Sequence, residues 1–307
     1  MSNSLIEQAA QRLEQLRQAG VVLPESVRQV EPPVPAVTAP AAGADPELQA
    51  ALSKRVDLDL EALAAQGFLT PGAPRTQMAD QYRVIKRPLI KNAMGKGSST
   101  INHANLIMVT SALPGEGKSF TSLNLAMSIA AELDNTVMLV DADVARPSVL
   151  RMLGLPQGPG LLDVLEESVD MASVLLRTNI DKLTILPSGT PHPKATELLA
   201  SDAMTALLED MAKRYPDRII IFDSPPLLLT TEARVLASHM GQIVVVVHAD
   251  QTAQSAVQQA IATIESCPVK MMLLNRARAT AGSGYGYGYS YGQYGYGYGH
   301  EDAASKT

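Results

Sequence analysis

A short apolar run, Leu106–Thr110, empties into Ser111-Ala112-Leu113-Pro114-Gly115-Glu116-Gly117-Lys118-Ser119, after which the pattern turns helical. Few folds accommodate that order. An apolar run with no polar alternation fits a strand buried on both faces. Gly115 and Gly117 let the backbone curl until consecutive N–H groups point at one anion. The helix that follows presents the positive end of its dipole to the same point. Counted back from Lys118, the spacing is that of a phosphate-binding loop, with Ala112 where a glycine is usual. In that frame Lys118 reaches the β- and γ-phosphates of a nucleoside triphosphate, and the Ser119 hydroxyl is a Mg²⁺ ligand. A glycine-rich turn with a surface lysine is the alternative, and the strand–loop–helix context counts against it.

Five further apolar runs follow: Val137–Val140, Leu183–Leu186, Ile219–Phe222, Ile243–Val247 and Met271–Leu274. Helical stretches separate most of them. The expected fold is α/β, a P-loop NTPase-like, mostly parallel sheet with helices on both faces. The helix over Ser119–Leu133 is expected to turn Leu123, Ala126, Met127, Ala130 and Leu133 inward. A second helix, over 79–94, starts near Asp80, and Pro88 is expected to interrupt it or end its first segment.

Acidic residues stand at two of the strand ends. Asp141-Ala142-Asp143, followed by Arg146-Pro147, leaves one strand, and Asp223 of Ile-Ile-Ile-Phe-Asp-Ser-Pro-Pro leaves another. Open parallel sheets bind ligands beyond the carboxyl ends of their strands. Carboxylates there reach both a metal and the group attacking a γ-phosphate. Each alone reads equally as a helix N-cap. Three acids at two strand ends, in one sheet with a phosphate loop, favour the site.

Composition narrows the setting. Of 307 residues, 46% are hydrophobic, enough for a large core, yet aromatics make up 4% and Trp is absent. Seven of the nine tyrosines fall between Tyr285 and Tyr298, so the core must be aliphatic. A net charge of −6 carries no bulk footprint for nucleic acid or anionic lipid. Cys267 has no cysteine to pair with, as expected in a reducing compartment. No apolar run reaches the ~18–20 residues of a membrane helix, and Glu7 and Glu14 argue against reading the start as a signal peptide. His103, His192, His239 and His248 lack the spacing of a zinc site. The expectation is a soluble cytoplasmic protein that reaches the inner membrane only through a partner.

The chain divides into four parts. Residues 1–20 carry Leu5, Ala9, Leu13 and Leu16 on one helical face, with Ser4 and Glu7 as a capping box. That helix reads equally as a marginal surface helix and as a docking helix. Residues 21–46 form a Pro/Ala-rich linker, residues 47–280 the P-loop domain, and residues 281–307 a disordered Tyr/Gly-rich tail.

Taken together, Gly115–Ser119, Asp141-Ala142-Asp143-x-x-Arg146-Pro147 and Asp223-Ser224-Pro225-Pro226 resemble the Walker A, A′ and B motifs of the bacterial tyrosine kinases, from about Met78 to the C-terminus. The resemblance is to the branch that works with a separate membrane protein in exopolysaccharide synthesis. It implies an ATP- and Mg²⁺-dependent protein-tyrosine kinase. Pro114, Gly115, Glu116, Gly117, Lys118, Ser119 and Phe120 would hold the nucleotide, with Asn275 near the base. Ser119, Asp143 and Asp223 would hold the metal. Asp141 would accept the proton of the tyrosine hydroxyl, Lys118 would stabilise the phosphates, and Arg146 would orient the acidic loop or contact phosphate. The family phosphorylates its own C-terminal tyrosines, here Tyr285, Tyr287, Tyr289, Tyr291, Tyr294, Tyr296 and Tyr298. A sticky aromatic tail used for weak association is the other reading of that segment.

The family also assembles rings through an acid-x-x-Arg-x-x-Arg segment. Here Asp80, Arg83 and Lys86 occupy those places, with Arg87 as a substitute for the missing arginine. A solvated charged helix face fits the same residues. Lys194 and Glu197 resemble a family loop near the nucleotide. Implied partners are a membrane-embedded polysaccharide chain-length or export protein acting as activator, further copies of the chain in a ring, and a phosphotyrosine phosphatase. Nucleic acid is not expected. The rivals are a positioning ATPase of the partitioning and cell-division class, whose signature lysine position is Leu113 here, and a nucleotide-gated scaffold without catalysis.

Overall fold

In a computed structural model, the structure describes residues 53–277, apart from Ala73, Ser98, Tyr215 and Pro216. The N-terminal helix, the linker and the tyrosine tail proposed from sequence lie outside the described residues.

The strands are β1 (Lys54–Val56), β2 (Leu106–Ser111), β3 (Thr136–Asp141), β4 (Leu176–Thr178), β5 (Leu183–Leu186), β6 (Arg218–Asp223), β7 (Gln242–His248) and β8 (Val269–Asn275). Helices α1 (Leu60–Ala65), α2 (Gln77–Ala93), α3 (Lys118–Ala130), α4 (Val149–Met152) and α5 (Leu161–Leu165) are followed by α6 (Met171–Val174), α7 (Ala195–Leu199), α8 (Asp202–Arg214), α9 (Thr231–Ser238) and α10 (Gln254–Ala262). One eight-stranded sheet runs in the order β1-β4-β5-β3-β6-β2-β7-β8. All its pairings are parallel except β4 with β5.

Non-alternating strands imply cover on both faces, and the core is divided that way. Leu106 and Met108 of β2 join one apolar cluster with Met204, Leu208 and Leu236. Ile107 and Val109 join the other, with Leu89, Leu123 and Ile129. The period-2 pleat thus sends consecutive apolar side chains to opposite layers.

Two expectations about helices need correction. Helix α2 is continuous over 17 residues with Pro88 inside it, started by the Thr76 hydroxyl accepting the Ala79 amide at 3.1 Å. The carbonyl that Pro88 cannot satisfy belongs to Val84, which is 74% exposed, so water can serve it. Helix α3 stops at Ala130, and Leu133 lies beyond it, 86% exposed rather than facing the core. There the Lys182 ammonium takes the carbonyls of Glu132 and Leu133 at 2.7 and 2.6 Å. Strands β1 and β4, three residues each, were not legible from the apolar pattern.

The topology assembles the site. Strand β6 lies between β2 and β3, with Asp223 paired in register to Val109 on one side and Asp141 on the other. Both acids therefore end their strands beside the loop that leaves β2.

Candidate active site

The loop after β2 holds two left-handed glycines, Gly115 with φ +83° and Gly117 with φ +98°. At Gly117 glycine is needed twice over, because a Cβ would lie 2.1 Å from Nδ2 of Asn275. Asn275, the last residue of β8, donates that Nδ2 to the Glu116 carbonyl at 2.9 Å. Glu116 is buried, and its carboxylate accepts the amides of Leu113 at 2.6 Å and His248 at 3.3 Å together with the Thr252 hydroxyl. The loop is tied down on the side of β7 and β8 before any ligand arrives.

Helix α3 begins at Lys118, with Gly117 as its N-cap. The Lys118 ammonium donates to Asp143 at 2.6 Å and to the Ser119 hydroxyl at 3.4 Å. Burial works to lower its pKa. The charges of Asp223, Asp143 and Asp141 and the hydrogen bond to Asp143 more than reverse this, so it stands above the ordinary lysine value. The Ser148 hydroxyl donates to Ser119 at 2.9 Å. Asp143 also accepts the Arg146 amide at 3.2 Å, while the Arg146 side chain is exposed.

Asp141 divides its two oxygens between two tasks. Oδ2 accepts the amides of Ser148 and Val149 at 3.0 and 2.9 Å, anchoring the start of α4. This is the helix-start role that its sequence position also allowed. Oδ1 is buried with no hydrogen-bond partner among the described residues. Burial, followed by the charge of Asp223, pushes this carboxyl up to about 7. In Asp223, Oδ1 accepts the Ser122 hydroxyl at 3.0 Å and Oδ2 has no partner among the described residues. Burial raises its pKa against the opposing effects of the Lys118 charge and the Ser119 and Ser122 hydroxyls.

A buried carboxylate oxygen without a donor is costly unless it is protonated or faces a cation. The unpaired oxygen of Asp223, with the Ser119 hydroxyl and Asp143 close by, offers the oxygen-only donors that a hard divalent cation takes, and the unpaired oxygen of Asp141 is left for a proton. Among the described residues, no three His, Cys, Asp or Glu side chains close into a metal cage. Mg²⁺ here would complete its shell with phosphate oxygens and water, as Mg²⁺ commonly does.

Other residues singled out from sequence fall elsewhere. Phe120 packs on Phe68 with ring centroids 5.1 Å apart, and Pro114 is exposed at the loop crest. Asp80 and Arg83 pair with each other on the exposed face of α2. Lys86 does not share that face: it is buried, bonded to the Ser128 carbonyl and 2.7 Å from Glu132, which Arg87 reaches only at 3.9 Å. A lysine turned into its own domain cannot also serve an exposed stripe, so the assembly set loses that member. The seven tail tyrosines lie outside the described residues. Sequence reasoning missed Ser122, Ser148 and Thr252. Ser122 was findable, one helical turn past Lys118 and on its face. Ser148 and Thr252 carry no local signal.

A family model described as NUBPL iron-transfer P-loop NTPase (ParA) matches residues 102–275. The tyrosine-protein kinase YwqD of Bacillus subtilis (strain 168) is 31% identical over 199 residues, covering 65% of this chain and 80% of that one. The chain belongs to the bacterial tyrosine-protein kinases, within the P-loop NTPases. Tyrosine-protein kinase ptk of Acinetobacter johnsonii is 33% identical over 167 residues, 54% of this chain but 22% of that protein. The chain therefore spans most of the shorter kinase and about a fifth of the longer one. Among solved structures, the chimerical protein CapA2B2 superposes with a TM-score of 0.56 at 25% identity, over 74% of this chain and 96% of its own. No helix among the described residues is long and apolar enough to cross a membrane.

Proposed function

We propose that this chain is an ATP-dependent protein-tyrosine autokinase that transfers the γ-phosphate to its own tail tyrosines, Tyr285 to Tyr298. It would regulate exopolysaccharide polymerisation or export with a membrane-embedded activator, assembled as a ring and reset by a phosphotyrosine phosphatase. The observation that carries the reading is the Asp141 carboxyl, buried beside the phosphate loop with one oxygen unpaired and its pKa raised to about 7. A hydrolase needs to orient only water, whereas a phenol of pKa ~10 benefits from a base that titrates near neutrality. Kinship with tyrosine kinases and a tyrosine-rich tail point the same way.

In this mechanism the loop amides and Lys118 hold the triphosphate, with the lysine exchanging Asp143 for phosphate oxygens. Ser119, Asp143 and Asp223 would hold Mg²⁺, which when bound neutralises charge on the phosphates. Asp141 Oδ1 takes the proton of the phenol. The phenol oxygen forms the new bond to phosphorus as the bond from phosphorus to the bridging oxygen breaks, and ADP departs with that electron pair. Arg146 is close enough in sequence to follow Asp143 into contact with phosphate, and Asn275 would touch the base.

Mass spectrometry after incubation with MgATP tests this, alone and with an activator's cytoplasmic segment. Phosphate is expected on at least one of the seven tyrosines and on none in a Lys118→Met variant. Unmodified tyrosines under both conditions refute the reading. Release of free phosphate without phosphotyrosine would instead favour a positioning ATPase, the second reading that the ParA family match supports.

A further inference from the structure

Strand β8 closes one end of the sheet, paired to β7 on one side and to nothing on the other among the described residues. Exposed sheet edges are ordinarily blunted by charge, proline or a bulge. This one is not. Its only charged residue, Lys270, folds its ammonium back onto the carbonyls of Ile264, Glu265 and Cys267, at 3.4, 3.1 and 2.7 Å. Met272 and Leu274 stand 67% and 62% exposed on the edge. They border a groove of about 580 Å³ whose far wall is Val257 and Ile261 of α10.

The chain supplies a complement a few residues further on. Residues 285–291 read Tyr-Gly-Tyr-Gly-Tyr-Ser-Tyr, a strict period of two over seven residues, the length of β8. In an extended conformation that pattern places four tyrosines on one face and only Gly or Ser on the other. No charged residue lies between Arg278 and His300 to oppose the apolar edge. Nine residues, 276–284, separate β8 from Tyr285 and include Gly282 and Gly284, enough for the chain to reverse.

We propose that residues 285–291 of the same chain add to β8 as an antiparallel ninth strand, their tyrosine rings laid over Met272 and Leu274. Main-chain hydrogen bonds would supply the affinity, and ring contacts with the two apolar side chains the register. Glycine at alternate positions weakens a strand, so the pairing is reversible. Docked, these four tyrosines are tied into a strand along β8 rather than carried on a free chain. Tail docking thereby withholds the substrate residues of the proposed kinase, but the docking itself requires no catalysis.

Amide hydrogen exchange of the full chain, without nucleotide, provides the test. The comparison is with the full-length Gly286→Pro/Gly288→Pro variant, whose prolines remove two donors and disfavour pairing without touching the described domain. The outward-facing amides of β8 are expected to exchange at least tenfold more slowly in the wild-type chain, by an amount independent of protein concentration. Equal exchange in the two proteins overturns the proposal. Protection that grows with concentration overturns it as well, because a second copy's tail would then be the occupant. Neither result depends on whether the chain phosphorylates tyrosine.

Discussion

Replacing Asp141 with asparagine separates what this residue does for the fold from what it does for the reaction. The carboxyl is held at about 7 in the folded chain against an ordinary value of 3.8. At pH 5 the folded state keeps a proton that the unfolded state has lost, and above 7 neither holds it. The folded state therefore binds more protons between about pH 4 and 7, and stability falls with rising pH across that window. The window spans about three pH units at 1.36 kcal/mol each, so this group costs the ligand-free protein about 4 kcal/mol at pH 8. Asparagine keeps an oxygen for the Ser148 and Val149 amides and places an uncharged group where Oδ1 stood. Guanidinium denaturation without nucleotide should find Asp141→Asn about 2–4 kcal/mol more stable than wild type at pH 8, with the difference shrinking toward zero near pH 4. Tyrosine phosphorylation by the same variant should fall by about 10²-fold or more. An identical pH slope in the two proteins would refute the claim that a strained, unpaired carboxyl sits beside the phosphate loop.

Gly117→Ala forces a left-handed alanine against Asn275, so a loss of about 1–2 kcal/mol in stability should accompany weakened ATP binding by calorimetric titration; unchanged binding would contradict the geometry. Lys86→Met leaves Glu132 and the Ser128 carbonyl without their cation. Glu132 is 24% exposed, which trims the usual penalty for a broken buried pair to about 2 kcal/mol. Thermal unfolding should show that loss, and adding Glu132→Gln should recover part of it. A shift within ~0.5 kcal/mol would return Lys86 to the surface stripe.

The sheet was legible because six of its strands are apolar without alternation; five of them are covered on both faces as that pattern implies, whereas β8, at the edge, leaves Met272 and Leu274 exposed. The phosphate loop was legible because glycine, lysine and serine are required at fixed spacing. What escaped depended on distant partners. Strands β1 and β4 are three residues long at the edge of the sheet, too short to show a period. Leu133 fits the helical stripe of α3, but the helix ends before reaching it. Lys86 reads as surface charge until α3 brings Glu132 and the Ser128 carbonyl to it. Asp141 was readable as an acid at a strand end. Its split duty, one oxygen anchoring α4 and the other unpaired, emerges only when β3, β6 and α4 meet.

In the proposed mechanism, the contact between Lys118 and Asp143 would make nucleotide capture an exchange of counter-ions. Because the ammonium is already withdrawn from bulk water, an incoming triphosphate need not strip its hydration shell. Each lysine contact surrendered by the carboxylate would be replaced by one to phosphate. The released acid would then be free to meet the divalent ion that accompanies the nucleotide, so that the two cations in effect trade anions.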